Sequence, residues 1–182
     1  METYEIDMSN PYATQDEANQ NVAAQVQPAV RMIQIISFAL IVGPVLFGCF
    51  VLLGTDADFK GEPSVITWMA VGLSGLMMVN HFVIPRIITT ATLKQLAGNG
   101  LNEQTETEKI QSIMGVFQSA HIVGFALLEG AAFFALIAWM LESTQYAVGA
   151  AVILIALMVI RFPTASRISF WVEDRLRELS FS

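Results

Sequence analysis

The chain has 182 residues, of which 54% are apolar and only 14% are charged, and its mean hydropathy is +0.58. These values exclude an ordinary soluble domain and predict an integral membrane protein that interacts with the lipid bilayer. The formal net charge of -7 is concentrated at the amino terminus, where the first thirty residues carry five acidic side chains and no Lys or Arg.

Residues 1–28 form a polar segment rich in Asn, Gln, Ala and acidic side chains. The segment has too little apolar content to offset the entropy lost on ordering, so we expect a disordered acidic tail. The chain lacks the basic amino-terminal residues of a signal peptide, and no cleavage site follows the first apolar run. Both observations argue against a signal peptide. The single cysteine, Cys49, excludes an intrachain disulfide and a cysteine-rich metal site.

Four apolar segments follow the tail, at residues 32–53, 65–84, 113–141 and 144–161. A helix needs roughly 20 residues to cross about 30 Å of hydrocarbon, and continuous apolarity lacks the alternation of a barrel strand. The fourth segment is short and needs the long side chain of Arg161 to reach the interface. The sequence therefore predicts an all-α fold with a four-helix transmembrane domain over residues 29–163.

The last segment, residues 164–182, has apolar side chains at helical spacing. This pattern predicts an amphipathic helix that lies at the cytoplasmic membrane interface or, equally, packs against the cytoplasmic extension of the second segment, residues 87–96. Its charged residues have both signs, which argues against specific recognition of anionic lipid; they include Arg167, Asp174, Arg175, Arg177 and Glu178.

The basic residues lie almost entirely at one end of the predicted bundle. Eight of the nine Lys and Arg residues precede the first span, connect the second to the third, or follow the fourth, whereas Lys60 lies in an opposite loop. Because Lys and Arg near span ends are retained in the cytoplasm, we place both termini there. We expect a multi-pass protein of the cell membrane, such as a bacterial inner membrane.

The two predicted hairpins share a sequence pattern. Residues 37–43 align with residues 124–130, and residues 70–72 align with residues 147–149. Either a two-helix hairpin was duplicated, giving a parallel repeat about an axis along the membrane normal, or shared apolar composition produced the match. In this alignment Val42 stands where the second hairpin has Glu129, so only one half carries a carboxylate.

Glu129 is a lone carboxylate inside the third apolar segment. Burying an ionisable group at bilayer depth is costly, so this residue is a candidate functional site. In one interpretation desolvation favours the neutral acid, and the group loads and releases a proton. In the other, Glu129 is a buried polar contact that sets helix register. Both interpretations remain open, and in both we expect Glu129 to face other helices.

The segment GFALLEGAAFFALIA, residues 124–138, surrounds this carboxylate. Together with its flanks, over residues 117–141, it resembles the second helix of the ATP synthase c subunit, the rotor proteolipid. The rest of the chain departs from that family. The resemblance implies that Glu129 binds a proton or a sodium ion, on a helix that runs from the inside to the outside of the membrane.

Two histidines and two amides lie near the predicted cytoplasmic ends of the second and third segments. His81 and His121 reach similar depths, and Gln118 lies within about 20° of the Glu129 direction at 100° per residue. With Asn80, they would line a polar path from the cytoplasm to Glu129, in which His relays protons. The plainer interpretation is two interfacial histidines in helix or headgroup contacts. No local ligand spacing supports a metal site, and we expect no cofactor.

Gly and Ala residues in the first, third and fourth segments allow close approach of helix backbones. They predict tight packing, either within the chain or between copies in a homo-oligomer. We find no phosphate loop, nucleophile triad or nucleic-acid surface in the sequence, so we expect neither an enzyme nor a nucleic-acid partner. The sequence predicts a multi-pass integral membrane protein of unassigned activity, and its sharpest specific interpretation is a component that binds a proton or ion at Glu129. The alternative is a structural or regulatory membrane protein without transport.

Overall fold

The computed structural model describes the backbone of residues 11–54, 61–98 and 105–180. Side chains are described from residue 26 to residue 175 of these ranges, apart from residues 97, 106 and 173. This part of the chain forms five helices and no strand, which confirms the predicted all-α class. The helices are α1 (Pro11–Gly54), α2 (Val65–Gly98), α3 (Glu106–Glu142), α4 (Gln145–Ile160) and α5 (Ala165–Ser180).

Three of these helices are long and apolar enough to cross a membrane, over Val26–Gly54, Val65–Leu96 and Thr107–Glu142. α4 has 16 residues and rises about 24 Å, which is less than the roughly 30 Å of hydrocarbon. α4 and α5 are long and apolar enough to cross a membrane only when they are taken together as one span, and the two helices meet at an angle of 65°. The described chain thus has three candidate spans, or four if the bent pair counts as one.

α1 extends into the segment for which the composition predicts disorder. The helix begins at Pro11, so the sequence-based boundary at residue 28 falls inside it. Val26 and Val30 lie one helical turn apart, are 3% exposed, and pack with Ile33 against α3 and α5. Burial of these apolar side chains contributes the free energy that ordering of the helix requires. The predicted tail over residues 1–10 lies outside the described residues.

α3 is the central helix, because it contacts each of the other four. Its buried face carries small side chains that let neighbouring helices approach closely. Three apolar clusters follow one another along this helix, around Ile113, Phe125 and Trp139. The small residues of this face are at most 2% exposed: Ala131, Ala132, Ala135 and Ala138.

α4 runs back toward the end of the molecule at which α2 leaves the apolar region. Near its start the Thr144 hydroxyl lies 2.9 Å from Oγ1 of Thr67, close to the beginning of α2. At its carboxyl end the Arg161 guanidinium lies 4.7 Å from the centre of the Phe82 ring. We call the end with Arg161 the basic end and the end with Thr144 the distal end.

α5 packs part of its surface against the protein. Ile168 and Val172, one helical turn apart, are fully buried in the cluster formed with α1 and α3, whereas Phe170 is 73% exposed. A helix therefore forms where the amphipathic pattern predicts one. Its apolar side is divided between the bundle and the exterior.

Candidate functional site at Glu129 and the basic end

Glu129 lies on α3 and faces the backbone of α1. A methyl group built on Gly43 would lie 3.3 Å from Glu129 Oε1 and 3.3 Å from Phe133 Cζ. The absence of a side chain at Gly43 therefore makes room for the carboxyl group between the two helices. Thirteen residues separate Glu129 from the end of α3, a rise of about 20 Å.

The surroundings of the Glu129 carboxyl group are apolar. Phe133 lies one turn further along α3, and its ring centre is 5.6 Å from that of Phe47 on α1. The Glu129 side chain is partly exposed. Among the described residues it has no hydrogen-bonding or ionic partner. Glu129 is thus a solitary polar group beside an α1–α3 contact.

His81 joins α2 to α3. Its Nδ1 atom lies 2.9 Å from the carbonyl oxygen of Gly124, and the residue is 9% exposed. Because a carbonyl oxygen can only accept, Nδ1 carries the hydrogen and donates it. A Cβ atom at Gly124 would lie 3.1 Å from Pro85 Cγ and 3.2 Å from Nδ1 of the histidine. The glycine is therefore what lets this part of α2 lie against α3.

His121 joins α3 to α1 instead. Its Nε2 atom lies 3.1 Å from the Ser37 hydroxyl, which belongs to a residue that is 1% exposed. The His121 ring lies 4.3 Å from that of Phe125, centre to centre, and Phe125 lies 6.2 Å from His81 in the same measure. The two histidines thus flank one aromatic ring, and each bonds to a different helix.

The two amides of the predicted polar path make separate contacts. Gln118 Nε2 lies 3.4 Å from Met32 Sδ on α1, and Asn80 is partly exposed on α2. No hydrogen bond within the described residues joins either amide or either histidine to Glu129. The path from the cytoplasm to this carboxyl group stays a prediction.

The described part of the chain has no group of three His, Cys, Asp or Glu side chains that could hold a metal ion. Cys49 is exposed on α1. The imidazoles of His81 and His121 bond to a carbonyl group and to a hydroxyl group. Their hydrogen bonds therefore serve contacts between helices.

Glu142, which the sequence analysis missed, joins the distal ends of α3 and α2. Its Oε2 atom accepts hydrogen bonds from the backbone nitrogens of Ser64 at 3.2 Å and Thr67 at 3.1 Å, and both hydroxyl groups also donate to the carboxylate. The carboxylate thereby satisfies free amides at the start of a helix. A signal was available, because Ser64 directly precedes an apolar helix, as a capping residue does.

A cleft at the basic end lies between α2, α3 and α5. It consists of two adjoining cavities of about 480 and 280 Å³, which share five lining residues, and His121 is one of these. His81 lines the smaller cavity. We call the two cavities together the arginine cleft, because their lining residues include Arg86, Arg161, Arg167 and Arg175.

No protein family, curated protein or solved structure matches the chain. The resemblance of residues 117–141 to the carboxylate-bearing helix of the rotor proteolipid stays a prediction. The structure itself establishes a helical protein with three apolar helices of membrane-spanning length, of which α1 and α2 both pack against α3. The function of the site is argued below from its own geometry.

Proposed function

We propose that the protein is an integral membrane component in which Glu129 takes up and releases a proton or a small cation within the bilayer. The observation that carries this proposal is the position of its carboxyl group. It lies in the apolar part of α3, partly exposed, and has no polar partner among the described residues. Ionisable groups at such positions mark ion pathways and proton relays.

The chemistry follows from desolvation of the Glu129 carboxyl group. Apolar surroundings favour the neutral acid over the carboxylate, so the group retains a proton until water or a cation reaches it. Gly43 has no side chain, so the carboxyl group lies close to the α1 backbone. The resemblance of residues 117–141 to the rotor proteolipid helix supports the same role.

A second candidate function rests on the contact between Glu129 and Gly43. Because a Cβ atom at Gly43 would lie 3.3 Å from Oε1, the carboxyl group packs closely on the α1 backbone. In this alternative Glu129 sets the register of α1 against α3 as a polar packing contact. The protein would then be a structural or regulatory membrane protein without transport.

We also propose that the basic end faces the cytoplasm. Eight of the nine basic residues lie in segments at that end, and such residues are retained on the cytoplasmic side. Both termini lie there if the short α4 completes a fourth crossing. In a Cys49→Ser background, a membrane-impermeant thiol reagent on intact cells should label Glu62→Cys but not Ser166→Cys. The reverse pattern would contradict this orientation.

Labelling with dicyclohexylcarbodiimide separates the two candidate functions, since the reagent modifies protonated carboxyl groups in apolar surroundings. We expect slow modification of the wild type at Glu129, with a rate that falls as pH rises. Protection by a sodium salt would identify sodium as the bound ion. The Glu129→Gln variant should lose the labelling. The Glu142→Gln variant, a matched control on the same helix, should keep it.

The packing alternative predicts a different set of results. The wild type would not be labelled, Glu129→Gln would assemble normally, and Glu129→Leu would fail to assemble because it lacks the polar group. Assembly is measured by size-exclusion chromatography in a mild detergent. This combination would contradict proton binding at Glu129.

A further inference from the structure

The arginine cleft is a continuous opening that the proposed role of Glu129 does not use. Its two cavities have in common the side chains of Phe117, His121 and Trp171, together with Pro85 and Ala120. The walls thus come from α2, α3 and α5. Phe117 and Trp171, whose ring centres are 5.0 Å apart, form an aromatic contact between α3 and α5.

The ionisable side chains that line the cleft are all basic, within the described part of the chain. Four are arginines, and His81 and His121 complete the set. None of the Asp and Glu side chains that the structure describes lines either cavity. Asp174, the described carboxylate of α5, is exposed and lies outside the lining. Among the described charged side chains of α5, Arg167 and Arg175 thus lie on the cleft side and Asp174 does not.

Two of the arginines are positioned by groups that do not neutralise their charge. The Arg161 guanidinium lies over the Phe82 ring, and Arg167 Nη1 lies 3.5 Å from the carbonyl oxygen of Ile160. A planar guanidinium presents paired donors that match the oxygens of a phosphate group. Two such groups line each of the two adjoining cavities, and together they form a site for a phosphate-bearing anion.

The exterior of α2 beside the cleft is suited to an acyl chain. Leu76, Val79 and Val83 follow one another along this helix at helical spacing, are 44–58% exposed, and lead away from Arg86 toward the distal end. Only 6% of the apolar window of α2 is buried within the protein. A phospholipid with its headgroup in the cleft would lay a chain along this face, whereas a free phosphate would make no use of it.

We propose that the arginine cleft binds a phosphate-bearing anion, presented as the headgroup of an anionic phospholipid. Basic pockets between transmembrane helices are suited to such headgroups. The proposal does not depend on proton binding at Glu129, which lies outside the lining of the cleft. In this proposal α5 forms one wall of the lipid-binding site.

Native mass spectrometry of the purified full chain in a mild detergent tests the proposal. The probes are phosphatidylglycerol and phosphatidylcholine with the same acyl chains. We expect the wild type to retain the anionic lipid in preference to the zwitterionic one. One basic residue near an anionic membrane surface contributes about a fivefold change in affinity, so Arg86→Gln should weaken retention of phosphatidylglycerol about fivefold.

Two variants make the test specific. Arg86 is exposed, so its replacement by Gln leaves the packing of the bundle intact, and an unchanged retention of phosphatidylcholine checks this. Arg31→Gln is the matched control, because Arg31 is an exposed arginine of α1 that does not line the cleft. The double variant Arg86→Gln/Arg167→Gln should weaken retention about twenty-fivefold if the two contributions are independent.

Soluble glycerol phosphate distinguishes the two sources of the phosphate group. If it fails to displace the bound lipid, the cleft recognises the headgroup together with its acyl chain, as proposed. If it displaces the lipid and raises the unfolding temperature of the wild type but not of Arg86→Gln, the site binds phosphate in soluble form. Equal retention of both lipids by the wild type would overturn the proposal, as would equal losses in Arg31→Gln and Arg86→Gln.

Discussion

The Nδ1 atom of His81 lies 2.9 Å from the carbonyl oxygen of Gly124, so a hydrogen bond joins α2 to α3 where α3 has no side chain. The contact and the missing side chain depend on each other, because a Cβ atom at this glycine would lie 3.2 Å from Nδ1. In the sequence Gly124 is one of many small residues. In the fold it is where α2 packs against α3.

Replacing Gly124 should therefore weaken the packing of α2 on α3. We expect Gly124→Leu to lower the free energy of unfolding by about 1–3 kcal/mol, as overpacking of a close contact does. Gly130→Leu is the matched control six residues further along the helix, since a Cβ atom there meets nothing within 4 Å. The measurement is unfolding by dodecyl sulfate in mixed micelles, followed by circular dichroism. Equal losses in both variants would show that the contact with His81 is not the cause.

Replacing Thr67 tests the polar cluster at the distal end. Thr67 and Thr144 are fully buried, with hydroxyl groups 2.9 Å apart, and the Thr67 hydroxyl also donates to the Glu142 carboxylate. Thr67→Val removes that hydroxyl at nearly constant volume and leaves Thr144 without this partner. We expect a loss of about 1–3 kcal/mol in the free energy of unfolding.

The control for that substitution lies on the same helix. Thr90 is exposed, so Thr90→Val should change the free energy of unfolding by less than about 0.5 kcal/mol. The same micelle titration measures both variants. A loss in Thr90→Val as large as that in Thr67→Val would assign the effect to valine in the helix rather than to the buried cluster.

Docking of α5 should depend on Ile168. This side chain is fully buried against α1 and α3, whereas Phe170, two residues further, is 73% exposed. Truncation of a buried Ile to Ala costs about 2–5 kcal/mol. We therefore expect Ile168→Ala to speed amide hydrogen exchange over residues 165–180 while α3 stays protected. Phe170→Ala should leave the exchange of residues 165–180 unchanged. Faster exchange in Phe170→Ala but not in Ile168→Ala would contradict the observed docking.

Local signals in the sequence predicted much of the helical structure. The apolar segments at 65–84 and 113–141 lie inside α2 and α3, but both helices continue well beyond them. α3 begins at Glu106 because Thr105 and Glu108 form a reciprocal capping box, a signal that the sequence carries. The apolar segments mark the parts of these helices that are long enough to cross the hydrocarbon layer. Polar capping residues determine where the helices begin.

The candidate site shows what local signals miss. Glu129 is recognisable as an anomaly because its neighbours in the sequence are apolar. Its contact with Gly43 is not recognisable from the sequence. The two residues are 86 positions apart, and their contact depends on how α1 crosses α3. Similarly, His81 and His121 both line the arginine cleft, but the sequence does not show that their hydrogen-bonding partners lie on other helices.

The sequence by itself determined the helical class and three of the four predicted membrane spans, because continuous apolarity over about twenty residues is a local property. Only the tertiary structure decided which side chains meet. The rotation and crossing of the helices, set by close packing at small residues, direct Arg167 and Arg175 into one cleft and leave Asp174 outside it. Packing between distant segments therefore makes α5 one wall of a cleft whose described ionisable side chains are all basic.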